Sequence, residues 1–477
     1  MAGRLLQVVI LAFILGLGLA EFFHVDNWLL TILVLWGVAV WLLDKRVLVF
    51  SLGAVAFLLG LIYFNYQRDA WQKNLLLAPP EGVFIGRVVS FPEPRDELLT
   101  FKVEVREPAE GALVRSIRFL VTVSRQTQVS LGDEVKLIGQ THQDLPFSYL
   151  AKEKVVARMN FPEIEVLQEA PPLSLSSLLK MAREGLQRLT ERIYPSPASE
   201  FLLALLIGGS HRLPPQIREN FTRTGTQHIM AVSGFNTTII AFAILFFFRR
   251  FSRNLAILMT LLALIFFGLM TGLSPSVTRA AIMTSAYLIG IMAGRPRSSF
   301  NILLVAAGLM LLVNPWLLRY DLGFQLSFLS TYGLMTFVPR LSALVKYLPI
   351  VGDAALPGVV AVLMTWPLVS LIVGRVSLIA ILANALITPL IPLTMLLGVL
   401  ALAASGMMGK LGLALIPASW GLLNFILFLI NTLAQVPGSL VNFAMPVGLV
   451  LLYYVFLLLV VNQPWKWLGY RRWQSSC

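Results

Sequence analysis

The chain is 477 residues long, 57% hydrophobic and only 13% charged, with a formal net charge of +13. That balance excludes a single soluble globule with an ordinary surface, and apolar runs of about 17 to 25 residues recur from end to end, so the fold class is a predominantly α-helical polytopic membrane protein. The one cysteine, Cys477, excludes an intrachain disulfide, a CxxC redox pair and a cysteine metal site.

Three apolar segments open the chain within residues 1–66, at 5–23, 28–43 and 47–65, joined by HVDN and DKR. Arg4 ahead of an apolar core, with Gly18-Leu19-Ala20 behind it, has the outline of a signal peptide, but two more spans follow at once and favour a membrane helix. The positive-inside rule keeps Arg4 and Asp44-Lys45-Arg46 in the cytoplasm, which places the chain after Tyr66 on the outer side.

Residues 67–170 change character. GVFIGRVVSF, LLTFKVEV, RSIRFLVTV and DEVKLIGQ are short alternating runs bounded by Pro, Gly and Asp, and they predict about five strands. The expectation is one small all-β extracytoplasmic domain, a barrel or sandwich of OB-like type. Such barrels often hold single-stranded nucleic acid with basic and aromatic side chains. Residues 70–170 carry 12 basic and 14 acidic side chains, so composition gives no support for DNA binding, and a scaffolding role fits these residues equally well.

Over 171–197 the apolar positions 175, 178, 179, 182, 186, 189 and 193 follow helical spacing, with Lys180, Arg183, Arg188 and Arg192 between them. This predicts a basic amphipathic helix lying along the membrane surface, or docked on the β domain.

Residues 198–465 form a second membrane block, with apolar segments at 229–248, 254–271, 277–293, 300–318, 322–338, 355–374, 377–400, 411–436 and 443–461. The expected total is about 10 to 12 transmembrane helices, followed by a basic cytoplasmic tail at 466–477. FLLALLIGG at 201–209 is too short to span and predicts a re-entrant or broken helix. Residues 200–477 carry 17 basic and four acidic side chains, and no acidic residue follows Asp353. Entered from outside, the block places Arg249, Arg250, Arg253, Arg295, Arg297, Arg340, Lys346, Lys410 and the tail inside, with Arg375 the exception. There is no internal repeat of the kind two-fold transporters show, and no GxxxxGK[ST] stretch, so an ATP-driven step would need a partner.

TGTQHIMAVSGFN, residues 224–236, puts Gln227, His228, Ser233 and Asn236 at the head of an apolar stretch, where uncompensated polar groups are costly. The topology brings three polar clusters to the outer end of the block: Arg223 with His228, Ser274-Pro275-Ser276 with Arg279, and Arg319 with Asp321 and Gln325. Guanidinium groups with neighbouring amides and hydroxyls suit an anion, and acid depletion lowers the barrier to a polyanion. The plainer reading pairs Arg279 with Asp321, lets Arg319 snorkel, and makes His228 and Ser233-Gly234 helix-packing residues. AVSG loosely resembles the GxSG of rhomboid-type proteases, but none of His24, His142, His211 and His228 follows Ser233 to act as its base, so the chain is not read as an enzyme.

Three motifs in order carry a resemblance to a known family. LLALLIGGSHRLPPQIRENFTRTGTQHIMAVSGFNTTIIA resembles the opening of the competence domain of ComEC family proteins, and LSPSVTRAAIM and DLGFQLSFLSTYGL resemble its next two motifs. The leading spans, the OB-like domain and LPFSYLAKEKVVARMNFPEIEVL are similar to the N-terminal half of such proteins. The resemblance implies a multi-pass channel in the bacterial inner membrane that carries one DNA strand to the cytoplasm during natural transformation. Its implied partners are single-stranded DNA, membrane lipid, a separate nuclease, a DNA receptor and a cytoplasmic ATP-driven motor, with no cofactor and no metal. The matching positions are Gly225, His228, Ser233, Gly234 and Asn236, then Ser276, Arg279 and Ala280, then Asp321, Gly323, Gln325 and Ser327. Arg223 and Gln227 join them as expected DNA-lining residues.

Many family members end in a β-lactamase-like domain with an HxHxDH metal cluster, and no histidine follows His228 here, so that nuclease is expected to be absent. Thr226 and Gln227 stand where Leu-Ser is common. Two other functions fit the same composition: export or transport of another anionic polymer or lipid, and a non-conducting anchor for the OB-like domain.

Overall fold

A computed structural model of the chain describes residues 2–21, 48–76, 79–95, 97–107, 117–294, 298–342, 349–407 and 409–462. The expected span at 28–43, the Asp44-Lys45-Arg46 linker, His24, Arg295, Arg297, Lys346 and the tail 466–477 lie outside them. The structure divides into two compact units, Met1–Lys180 with Ile282–Gln325, and Met181–Ala281 with Leu326–Cys477.

The described residues of the first unit hold seven strands: β1 (Glu81–Val88), β2 (Glu93–Arg95), β3 (Leu98–Glu107), β4 (Ile117–Ser124), β5 (Glu134–His142), β6 (Ala157–Asn160) and β7 (Glu163–Gln168). β1 pairs antiparallel with β3 and β5, β4 runs antiparallel to β3 and parallel to β6, and β6 closes antiparallel onto β5. The resulting five-strand ring, with β2 and β7 appended to β3 and β5, is a small OB-like barrel.

Alternation builds most of its core, with Leu120 of β4 buried as well. Phe84 and Val88, Phe101, Val103 and Val105, Phe119 and Val121, and Val135 and Leu137 all point inward and are buried. Gly86 sits at a register shift in β1, where a Cβ would lie 2.7 Å from the Glu104 carbonyl oxygen. The β6–β7 pair exceeds the expected five strands: four residues of β6 are too few to show a period, and Pro162 masks the turn between them.

Two helices of the same unit, Ala2–Leu19 and Leu48–Leu76, cross with their backbones in contact. A Cβ on Gly16 would stand 2.0 Å from the Phe57 carbonyl oxygen, and one on Gly60 2.3 Å from that of Phe13. Only glycine permits that approach. Gln7 of the first helix donates to Asn301 Oδ1 at 2.7 Å, and Tyr63 of the second to the Leu312 carbonyl, which ties both to helix Ser299–Val313.

The barrel is fastened to this helical part through the segment between β5 and β6, which carries helix Phe147–Glu153. Lys152 Nζ lies 3.0 Å from the buried Asp321 carboxylate, Asn314 donates to the Lys152 carbonyl, and Lys154 donates to the Val313 carbonyl. The Phe147 ring meets Trp316 and Tyr320 edge-on, at 5.4 and 6.1 Å. Arg319 does not snorkel free, because its Nη1 lies 2.5 Å from Glu21 Oε2.

The second unit begins with helix Ala198–Ile207, ten residues that are almost wholly buried and end at Gly208. By length and composition three of the described helices can cross a membrane, Arg253–Met270, Ala355–Val373 and Leu415–Ala434, and the bent pair Ala380–Ile387 with Leu390–Ser405 makes a fourth candidate. Other apolar helices of this unit are shorter, among them Gly234–Phe248 and Val447–Val460. At the end of Gly234–Phe248, Arg249 stacks over Phe246 and Arg250 over Phe247 and Phe251, cations over aromatic rings as expected at a membrane interface. An unexpected ribbon, β8 (Arg375–Ser377) against β9 (Leu440–Asn442), stands at the head of the expected 377–400 segment and takes up Arg375. Strands of three residues leave no periodic trace.

The Lys102–Glu153–Lys152 cluster makes the barrel sensitive to pH. Burial favours the neutral acid at Glu153, but Lys102 and Lys152 outweigh it and hold its carboxyl below the usual 4.5. A depressed folded pKa gives stability that is complete above the unfolded value and is lost as pH falls through the folded one. The apparent melting temperature should therefore drop as the solution is acidified below the ordinary carboxyl range, and Glu153→Gln, monitored by circular dichroism, should flatten that part of the profile.

Candidate functional site

The site grows from a helix that stops inside the apolar block. Ala198–Ile207 ends where Gly208 and Gly209 take positive φ, 79° and 98°, a conformation open to glycine. A helix end leaves carbonyls without intrahelical partners. One of them, on Leu205, receives the Asn236 side-chain amide at 2.5 Å. Asn236 is 2% exposed, and its Oδ1 accepts the Ser233 hydroxyl at 2.9 Å. The polar pair at the head of helix Gly234–Phe248 thus completes the end of another helix.

Thr224, Gly225 and Thr226 form the turn that delivers this segment. The Thr224 and Thr226 hydroxyls bond each other at 2.7 Å, with Thr224 also donating to the Asn220 carbonyl. Gly225 has φ 67°, and a Cβ there would stand 2.6 Å from Ala380 Cβ. The expected continuous helix from residue 229 is broken: Gln227–Met230 is a separate turn of helix, and Ala231 is extended before the next helix starts after Ser233.

Gln227 and His228 are exposed, whereas Thr224 and Thr226 on the same turn are buried. Arg223 points elsewhere, to Glu219 one turn back at 3.4 Å.

Helix Pro275–Met292 brings Arg279 to the same place. Its Nη1 donates to the Ser327 carbonyl and the Thr331 hydroxyl, both on helix Leu322–Leu341, and Ser276 Oγ donates to Ser327 Oγ at 3.1 Å. Arg279 is 9% exposed, its Nε is buried without an acceptor, and its guanidinium packs against the α carbon of Gly234. No carboxylate pairs with it among the described residues; its one charge-related neighbour is the Phe328 ring at 5.9 Å. The sequence-level pairing of Arg279 with Asp321 is therefore replaced. Asp321 accepts from the Phe324 backbone amide at 2.6 Å, capping helix Leu322–Leu341, and meets Lys152. Gln325 donates to the Leu318 and Arg319 carbonyls.

The structure thus brings together Ser233, Gly234 and Asn236 with Ser276, Arg279 and Ser327, and gives Arg223, Asp321 and Gln325 separate local partners. Sequence reasoning missed Thr331, Lys152 and Leu205. Thr331 had a signal, standing one helical turn after Ser327; the other two contacts are long-range and leave no local mark. Among the described residues no group of three His, Cys, Asp or Glu could hold a metal ion.

The family model described as "Competence protein" matches residues 205–467. The chain is also similar to ComE operon protein 3 of Bacillus subtilis (strain 168), 26% identical over 312 residues, which is 64% of this chain and 39% of the relative. It therefore spans about two fifths of that relative's length. No solved structure matches it.

Asn236→Ala should strand the Leu205 carbonyl in an apolar setting at a cost of about 1–3 kcal/mol. Thermal unfolding of the detergent-solubilised protein should show a lower midpoint for Asn236→Ala and a near-unchanged one for Arg223→Ala, whose only described ion pair lies on the surface.

Proposed function

The chain belongs to the competence protein family, and from that premise we propose that it takes part in DNA uptake, passing a single strand across the bacterial inner membrane to the cytoplasm. The observation that carries this reading is Arg279, a cation buried in the helical block with no carboxylate partner among the described residues. A charge so placed is expensive unless an anion meets it, and acid depletion across residues 200–477 leaves few fixed carboxylates to do so. A mobile polyanion supplies the missing charge.

In this reading Gln227, His228 and Arg279 face the strand. Ser233, Asn236, Ser276 and Ser327 hold the elements that present them, Gly225 and Gly234 allow the close approaches, and Arg223 acts at the periphery; Asp321 and Gln325 secure helix ends within the other unit. The barrel lies on the outer face and the basic tail in the cytoplasm. Contact with the strand is through its backbone, so passage is insensitive to sequence and sensitive to salt. The force that moves the strand and the degradation of its complement belong to other proteins.

Proteoliposomes holding the purified chain should take up labelled single-stranded DNA. At equal protein incorporation, Arg279→Ala should lower the initial rate about tenfold, the worth of one charge-assisted hydrogen bond, and His228→Ala should lower it less. Uptake no faster than in protein-free vesicles would make the chain an anchor and not a path; equal uptake by all three proteins would take Arg279 and His228 off the path; uptake of other polyanions in preference to DNA would change the substrate.

A further inference from the structure

The three nitrogens of Arg279 are in three different states. Nη1 is occupied by the Ser327 carbonyl and the Thr331 hydroxyl. Nε is sealed in the interior with no acceptor. Nη2 has no acceptor among the described residues and is not one of the sealed polar atoms there. The residue as a whole is 9% exposed, so any opening at that corner is small.

Gly234 frames the opening. A Cβ on it would stand 2.8 Å from Nη2 and 3.3 Å from Ala280 Cβ. Any side chain at 234 would therefore cover Nη2 or displace it. The Ser233-Gly234 step gains a role beyond helix packing: the missing side chain keeps one N–H group of a buried cation open.

We propose that Nη2 of Arg279, framed by Gly234, is the contact point for one phosphodiester oxyanion of the passing strand; the inference rests on the DNA-path reading above. Arginine is needed because its planar fork lets Nη1 anchor the group on one helix while Nη2 presents a donor in a fixed direction. A lysine ammonium, a single charge on a flexible stem, cannot divide the two tasks. An oxyanion contact reads no base, so the seat accepts every nucleotide in turn.

The test is binding of a fluorescent single-stranded oligonucleotide to the full chain in lipid nanodiscs, measured across a salt series for wild type, Arg279→Gln and Gly234→Ala. Removing one phosphate contact should make the slope of log affinity against log salt shallower by about 0.7. Arg279→Gln keeps an amide donor toward Ser327, and Gly234→Ala keeps the charge while covering Nη2. Both should show the shallower slope. Wild-type slopes in both variants overturn the proposal, as does a loss confined to Arg279→Gln, which would mean a charge acting at a distance. Binding without import into vesicles would remove only the passage reading, import with unchanged slopes only the seat, and absence of binding by wild type at every salt both.

Discussion

A polar group carried into the apolar interior of a membrane protein has to find its partner there, because lipid offers none. The short helix Ala198–Ile207 shows what that demands. Its end would leave carbonyls unsatisfied inside the block, and the Asn236 amide reaches Leu205 to close one of them. Ser233 in turn holds Asn236, and the Thr224–Thr226 pair fixes the turn before it. Once these bonds are made, the start of helix Gly234–Phe248 has one place to be, and Gly234 lies against Arg279. Arg279 is the group for which the same accounting stays open, with one nitrogen satisfied, one sealed and one neither.

The constraint also explains how the barrel is used. Nucleic-acid-binding OB folds present the face of their second and third strands and the loop between the fourth and fifth. Here that loop is the segment between β5 and β6, and it is committed to Asn314, Trp316 and Asp321. Asp321 is buried, and Lys152 supplies the charge that lets it be. On the face itself Lys102 pairs with Glu153 and Arg118 with Glu104, at 2.5 and 2.9 Å. Two of the cations that a strand backbone would need are thus already matched, which accords with the near-balanced charge of residues 70–170 and suits a scaffolding part.

What repeats along the chain was legible in advance. Apolar length marked the helices, and the alternation in GVFIGRVVSF and LLTFKVEV marked the barrel strands, because burial imposes a period on residues that are neighbours in sequence. What breaks the period was hidden: the interruption at Ala231–Ser233, the bend between Ile387 and Leu390, and the three-residue ribbon at Arg375. The site followed the same division. Gln227, His228, Ser233, Asn236 and Arg279 were visible as polar residues in apolar surroundings and as parts of three ordered motifs. Their partners were not, since Lys152 lies 169 positions before Asp321 and Leu205 31 positions before Asn236. The pairing of Arg279 with Asp321, the simplest one from charge alone, gave way because a helix cap and a lysine had already claimed the aspartate.

The central claim is that His228 and its neighbours face a water-filled path and not lipid or packed protein. Cys477 is the one native cysteine, so a Cys477→Ser background makes the chain a clean host for His228→Cys, with Phe242→Cys as a reference on the outward, apolar side of the next helix. The direct measurement is the rate at which a small water-soluble thiol reagent, added from the outer face, modifies each position in intact membrane vesicles. Fast modification at 228, slowed by added single-stranded DNA, with little at 242, is the expected result. A position 228 as unreactive as 242, or one whose rate ignores DNA, would contradict it.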